Sequence, residues 1–168
     1  DEFLNSRGAI ARFDRGSIEI RVIDIQECPA ADFAVLQATV AVLKALCNEQ
    51  WSTFASQQSL DVEPLYKILS ASIRDADEAT IDDSEYLSLF GYQGSQCTVK
   101  QLWRHLIRQT APTLNASSEY ALEVILSLGP LSRRLVGSIS DSAAGHHSLQ
   151  RTYGNLCERL QAGEIYLP

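Results

Sequence analysis

Several familiar signatures are missing from this 168-residue sequence, and each omission removes a class of function. Lys and Arg number 14 against 21 Asp and Glu, a formal net charge of -7, so no broad surface for nucleic acid or acidic membrane is expected. The longest apolar stretch, FAVLQATVAVLKALC at 33–47, is broken by Gln37, Thr39 and Lys44. It falls short of the ~20 residues that a bilayer requires, and no transmembrane segment is expected. Cys28, Cys47, Cys97 and Cys157 show no CxxC or other ligand spacing, a pattern that favours a reducing cytoplasm. No P-loop, dinucleotide fingerprint or Ser/His/Asp arrangement occurs. There is no internal repeat and no low-complexity tract.

What is present is the composition of a folded protein: 45% hydrophobic, 21% charged, and long enough for one domain with a sizeable core. The first residue is Asp1, and the most pattern-rich segment follows within a turn or two. The expectation is a fragment of a longer protein, cut just upstream of its own chemistry.

Two β-rich runs, AIARF at 9–13 and SIEIRVI at 17–23, flank DRG, and Gly16 can take the positive φ of a tight turn. This is the one hairpin the pattern supports. A two-residue period puts Ser17, Glu19 and Arg21 on one face and Ile18, Ile20 and Val22 on the other. A three-residue loop would set Ala11 across from Glu19 and Ala9 across from Arg21; a two-residue loop would set Arg12 across from Glu19. Both remain open.

From Pro29 the period turns helical. AADFAVLQATVAVLKALCNEQW is apolar on nearly all sides, so a central helix buried by its neighbours is expected, covered by its own bundle or by a second subunit. Further helices are expected at about 61–75, 98–110, 117–127, 130–139 and 148–161, the last closed by Gly163. The acidic run RDADEATIDDSE at 74–85 lacks the spacing of a calcium loop and reads as a solvated loop. His146 and His147 are adjacent and cannot point the same way, and His105 reads as a packing or surface group, so no histidine is given a role.

Glu19 and Arg21 inside a strand admit a plain reading, a wet sheet face with an ion pair of little energetic weight. Against it, Arg7, Arg12, Arg15 and Arg21 gather here in an acidic protein. Guanidinium forks bind phosphate oxygens in pairs, and a carboxylate is a hard oxygen ligand suited to Mg²⁺, so arginines around one acid suit polyphosphate with metal.

The stretch SRGAIARF, RGSIEIRVID and ECPAADFAVLQATVAVLKAL resembles the C-terminal part of the type 2 glutamate-cysteine ligase (carboxylate-amine ligase) family, in which a strand G-[ST]-[IV]-E-x-R-x-x-D precedes a long apolar helix. The ending YGNLCERLQAGEIYLP also looks like that family's tail. The likeness covers residues 5–46 well and 148–168 loosely. Glutamine synthetases, more distantly similar, carry R-S-A-S-I-R before a strand I-E-V-R-F-P-D; RGAIAR and IEIRVID match these, with a shorter gap between them.

The resemblance implies an α+β fold: an N-terminal β-hairpin, part of an antiparallel active-site sheet (residues 1–28), followed by a mostly helical bundle (29–168). It implies an ATP- and Mg²⁺-dependent carbon–nitrogen ligase, cytoplasmic, that activates glutamate or a similar carboxylate as an acyl phosphate for attack by an amine such as cysteine. In that reading Glu19 is a metal ligand, Arg21 and Arg7 stabilise the transferring phosphoryl group, and Arg12 and Arg15 hold nucleotide phosphates. Asp24 would brace the turn into the helix. The remaining ligands would come from a missing N-terminal part, leaving this fragment inactive alone. The competing class is a non-enzymatic helical interaction domain with a solvated charged strand.

Overall fold

A computed structural model describes residues 8–139 and 145–168. The chain is α+β, and 62% of the described residues are helical. The hairpin β1 (Ala9–Arg12) and β2 (Ser17–Ile20) leads into α1 (Pro29–Cys47). After it come α2 (Phe54–Gln58), α3 (Val62–Asp75), a 3-10 turn at Ala76–Glu78 and the short strand β3 (Thr80–Ile81). The remaining elements are α4 (Ser84–Ser88), β4 (Cys97–Thr98), α5 (Val99–Thr110), α6 (Ala116–Leu128), α7 (Leu131–Ser138) and α8 (His146–Ala162).

The larger helices start and stop where their residues dictate. Pro29 opens α1 at a position where a missing N–H costs nothing. Thr98 and Gln101 form a reciprocal capping box on α5. Gly163 ends α8 in the left-handed region at φ 69.

The acidic run is more than a solvated loop. Ala79 and Ile81 within it are buried, β3 pairs antiparallel with β4, and Asp83 caps α4 by accepting from the Tyr86 N–H at 2.9 Å. Its apolar positions, too few to show a period, are what the fold buries.

Helix α1 organises the interior. Its N-terminal half, through Ala31 and Ala34, packs with Ala121, Leu122 and Val124 of α6 and with Ile165 of the C-terminal tail. Its C-terminal half, through Val42, meets a second cluster built from Ile81, Leu87, Cys97, Leu102 and Leu106. Small residues on the inner face allow close approach of α5 and α6. The opposite face is not covered: Phe33, Leu36, Val40 and Leu43 are all exposed. Among the described residues the chain's own bundle therefore covers one face of α1 and leaves the other open. By length and composition α1, 19 residues with a hydropathy of 1.6, is also apolar enough to cross a membrane, despite its polar interruptions. Its alanine face is instead packed against protein.

Candidate functional site: an arginine–glutamate–arginine cluster on the hairpin

The hairpin register is Ala9↔Ile20, Ile10↔Glu19, Ala11↔Ile18 and Arg12↔Ser17. Neither loop length considered from sequence is adopted. Residues 13–16 form a four-residue loop, closed by the Arg15 N–H donating to the Arg12 carbonyl at 3.0 Å, with Gly16 at φ 59. A turn followed by a left-handed residue makes the loop one residue longer than the three-residue alternative and two longer than the two-residue one, which moves Ile10 opposite Glu19. Arg12 becomes the diagonal neighbour of Glu19, a separation that its long side chain spans.

Three side chains meet as a result. Arg21 Nε donates to Glu19 Oε1 at 2.9 Å, and Arg12 Nη1 donates to Glu19 Oε2 at 3.2 Å. Arg12 also leans on Asp14 through Nε, at 3.4 Å. Beyond the ladder, the Arg21 N–H donates to the Gly8 carbonyl at 2.8 Å, which holds the strand straight as far as Arg21.

The charged face is the better covered one. The Arg12 and Arg21 side chains are 22% and 21% exposed and that of Glu19 is 41%, whereas Ile18 is 70% and Val22 57% exposed. A lone hairpin would hide its isoleucines. Here the face that carries Ile10, Arg12, Glu19 and Arg21 is the less exposed one, with Ile10 itself buried, and Ile18, Ile20 and Val22 lie on the more exposed face.

The electrostatics follow the geometry. The hydrogen bond from Arg21 holds the Glu19 carboxyl below the ordinary carboxylate range, with Arg12 adding to the effect against partial desolvation. Arg12 is held above its ordinary value, chiefly by its hydrogen bond with Asp14. Arg12 and Arg21 thus converge on Glu19, and Arg12 is shared between Glu19 and Asp14. For a divalent cation, Glu19 retains a second lone pair on each oxygen and can serve as one ligand. Among the described residues no group of three or more His, Cys, Asp or Glu stands together to hold a metal.

Of the other residues singled out, Arg15 lies outside the cluster: it is 70% exposed and paired with Asp14 at 3.6 Å across the turn. Arg7 lies outside the described residues. The brace at the entrance to α1 is Asp32, whose Oδ1 accepts from the Gln26 N–H at 2.9 Å; Asp24 is exposed. His105 contacts the Phe90 carbonyl at 2.9 Å and sits edge-on to Tyr92, a packing role.

One buried arrangement had no counterpart in the sequence reading. Arg134 Nη1 donates to Glu27 Oε1 at 2.6 Å, with both side chains fully buried. Arg134 also donates to the carbonyls of Gly129 and Tyr166, and the Tyr166 N–H reaches Glu27 Oε1 at 3.3 Å. The cluster ties the segment joining strand to α1, helix α7 and the C-terminal tail into one knot. Arg134 lies in SRRLVGS, and neither it nor Glu27 has a local partner that would mark it as interior.

Comparison with known proteins gives little to set beside this geometry. No family model matches the chain, and no solved structure matches it. An uncharacterized protein of Archaeoglobus fulgidus is 36% identical to it over 77 residues. That match takes in 46% of this chain and 18% of the archaeal protein, so the chain spans less than a fifth of the relative's length.

Proposed function

We propose that this chain belongs to an ATP- and Mg²⁺-dependent carboxylate-amine ligase, similar to glutamate-cysteine ligases, that joins glutamate or a related carboxylate to an amine through an acyl phosphate. The observation that carries the reading is the convergence of Arg12 and Arg21 on the two oxygens of Glu19, at the strand whose motif resembles that family. Phosphoryl transfer gathers negative charge on oxygens, and fixed guanidinium groups neutralise it without reorganising. In this reading Arg21 would contact the transferring phosphoryl group, Arg12 the nucleotide phosphates, and Glu19 a Mg²⁺ ion. That ion would supply charge neutralisation between phosphates. One carboxylate is too few for the whole site, so the remaining ligands and the amine pocket are assigned to other parts of the complete polypeptide.

The test is phosphate release from ATP by that complete polypeptide. Release should require glutamate, or a similar carboxylate, together with an amine, and Glu19→Gln should abolish it while leaving the circular dichroism spectrum unchanged. Release that needs neither substrate, or that survives Glu19→Gln, contradicts the proposal. A second reading, a non-enzymatic interaction domain, draws on the uncovered apolar face of α1; it expects no substrate-dependent release at all.

A further inference from the structure

The uncovered face of α1 has a period of its own. Phe33, Leu36, Val40, Leu43 and Cys47 succeed one another at spacings of 3, 4, 3 and 4, and every one is exposed. That is the 3.5-residue repeat of a coiled-coil seam, which keeps facing a partner helix along its whole length, whereas a sheet or an irregular loop gains nothing from it. The residues that pack inward, Ala31, Ala34, Ala38, Val42 and Ala45, occupy the opposite side.

We infer that the seam is occupied by α1 of a second copy of this chain, running antiparallel about a two-fold axis at the level of Ala38. The inference is independent of the ligase reading. Three observations select this occupant. First, the seam reads alike in both directions: the axis sets Phe33 against Leu43 of the second copy and Leu36 against its Val40, so the patch is self-complementary, as a two-fold interface requires. Second, the charges beside the seam favour this direction. Asp32 and Lys44 lie at opposite ends, and the antiparallel pairing brings Lys44 level with Asp32 of the second copy. Like charges are then about 18 Å apart, at 1.5 Å of rise per residue; a parallel pair would set Asp32 level with Asp32 and Lys44 level with Lys44. Third, the apolar surface is open along the seam: Phe33, Leu36, Val40 and Leu43 are 56%, 54%, 38% and 42% exposed, contiguous apolar surface of the kind that marks an interaction site. A groove of about 540 Å³ beside Leu36, Val40 and Lys44, walled by Pro112, gives the partner's side chains a place to enter.

Sedimentation velocity at tens of micromolar tests this. The wild-type chain should sediment as a species of twice 18.5 kDa, and Val40→Glu or Leu36→Glu should raise the dissociation constant at least tenfold without altering the circular dichroism spectrum. Val136→Glu, at an exposed apolar residue away from the seam, should leave it unchanged. In a Cys157→Ser background, oxidation should give no cross-linked dimer, because the antiparallel pairing sets Cys47 opposite Pro29. A monomeric wild type, a dimer indifferent to both seam variants, or rapid Cys47–Cys47 cross-linking overturns the proposal. So does binding to phosphatidylcholine vesicles that Val40→Glu abolishes, an outcome that would give the seam to a lipid surface.

Discussion

The Arg134 guanidinium donates to Glu27 at 2.6 Å across 107 positions of sequence, with no solvent at either side chain. Two buried charges are costly to desolvate, so the pair is worth more as a constraint than as a source of stability. It fixes where the chain leaves the hairpin strand relative to α7 and the tail, and so sets the direction in which the hairpin projects.

Removing one partner should therefore be costly. Arg134→Met leaves the Glu27 charge buried and unpaired, and a loss of about 3–5 kcal/mol is expected. For a chain of this size that lowers the melting temperature by roughly 6–20 °C. The double variant Glu27→Leu with Arg134→Met should recover much of the loss, which thermal unfolding followed by circular dichroism will show. A double variant as unstable as the single one contradicts this account of the pair.

Glu19 should carry a pH dependence of definite sign. Its folded-state value lies below the ordinary 4.5, so its contribution is fully present above that value and is lost as the pH falls through the lower folded value. A ¹³C titration of the Glu19 carboxyl should find a midpoint under 4.5. Arg21→Gln should move it up more than Arg12→Gln, since the Arg21 hydrogen bond is the larger cause. The reverse order would show that the bond from Arg12 dominates.

Gly16 should resist substitution for a backbone reason alone. A Cβ there meets nothing within 4 Å, yet φ is +59. Gly16→Ala is expected to cost about 1–2 kcal/mol through the left-handed conformation, as measured by urea unfolding. A neutral result would indicate that the loop has moved to another turn type, which should also lengthen the Arg12–Glu19 contact.

The features legible in the sequence were those written locally. The two-residue alternation of SIEI, the left-handed turn at Gly16, the closing residue Gly163 and the longer helices all follow from neighbours within a turn. The hairpin register did not, because loop length depends on how Phe13–Gly16 fold, and one extra residue moves Ile10 to the position opposite Glu19. The surroundings of α1 were illegible for another reason: an all-round apolar sequence states what a helix avoids, and not which of its faces the chain itself covers. Glu27 and Arg134 find each other only through the tertiary fold, so no spacing announces them. At the site, the pairing of Glu19 with Arg21 was within reach of the strand period, while the part played by Arg12 emerged only with the register.

The most direct test of the site is a titration of the chain with pyrophosphate, followed through the Nε–H resonances of its arginines, and then with Mg²⁺, followed through the Glu19 carboxyl. Saturable shifts at Arg12 and Arg21 that vanish in Arg21→Gln, with the Glu19 carbon responding once Mg²⁺ is added, are the expected result. Uniform, non-saturating shifts across all the arginines, exposed Arg159 included, would show that the hairpin cluster is an ordinary surface ion pair and holds no phosphate.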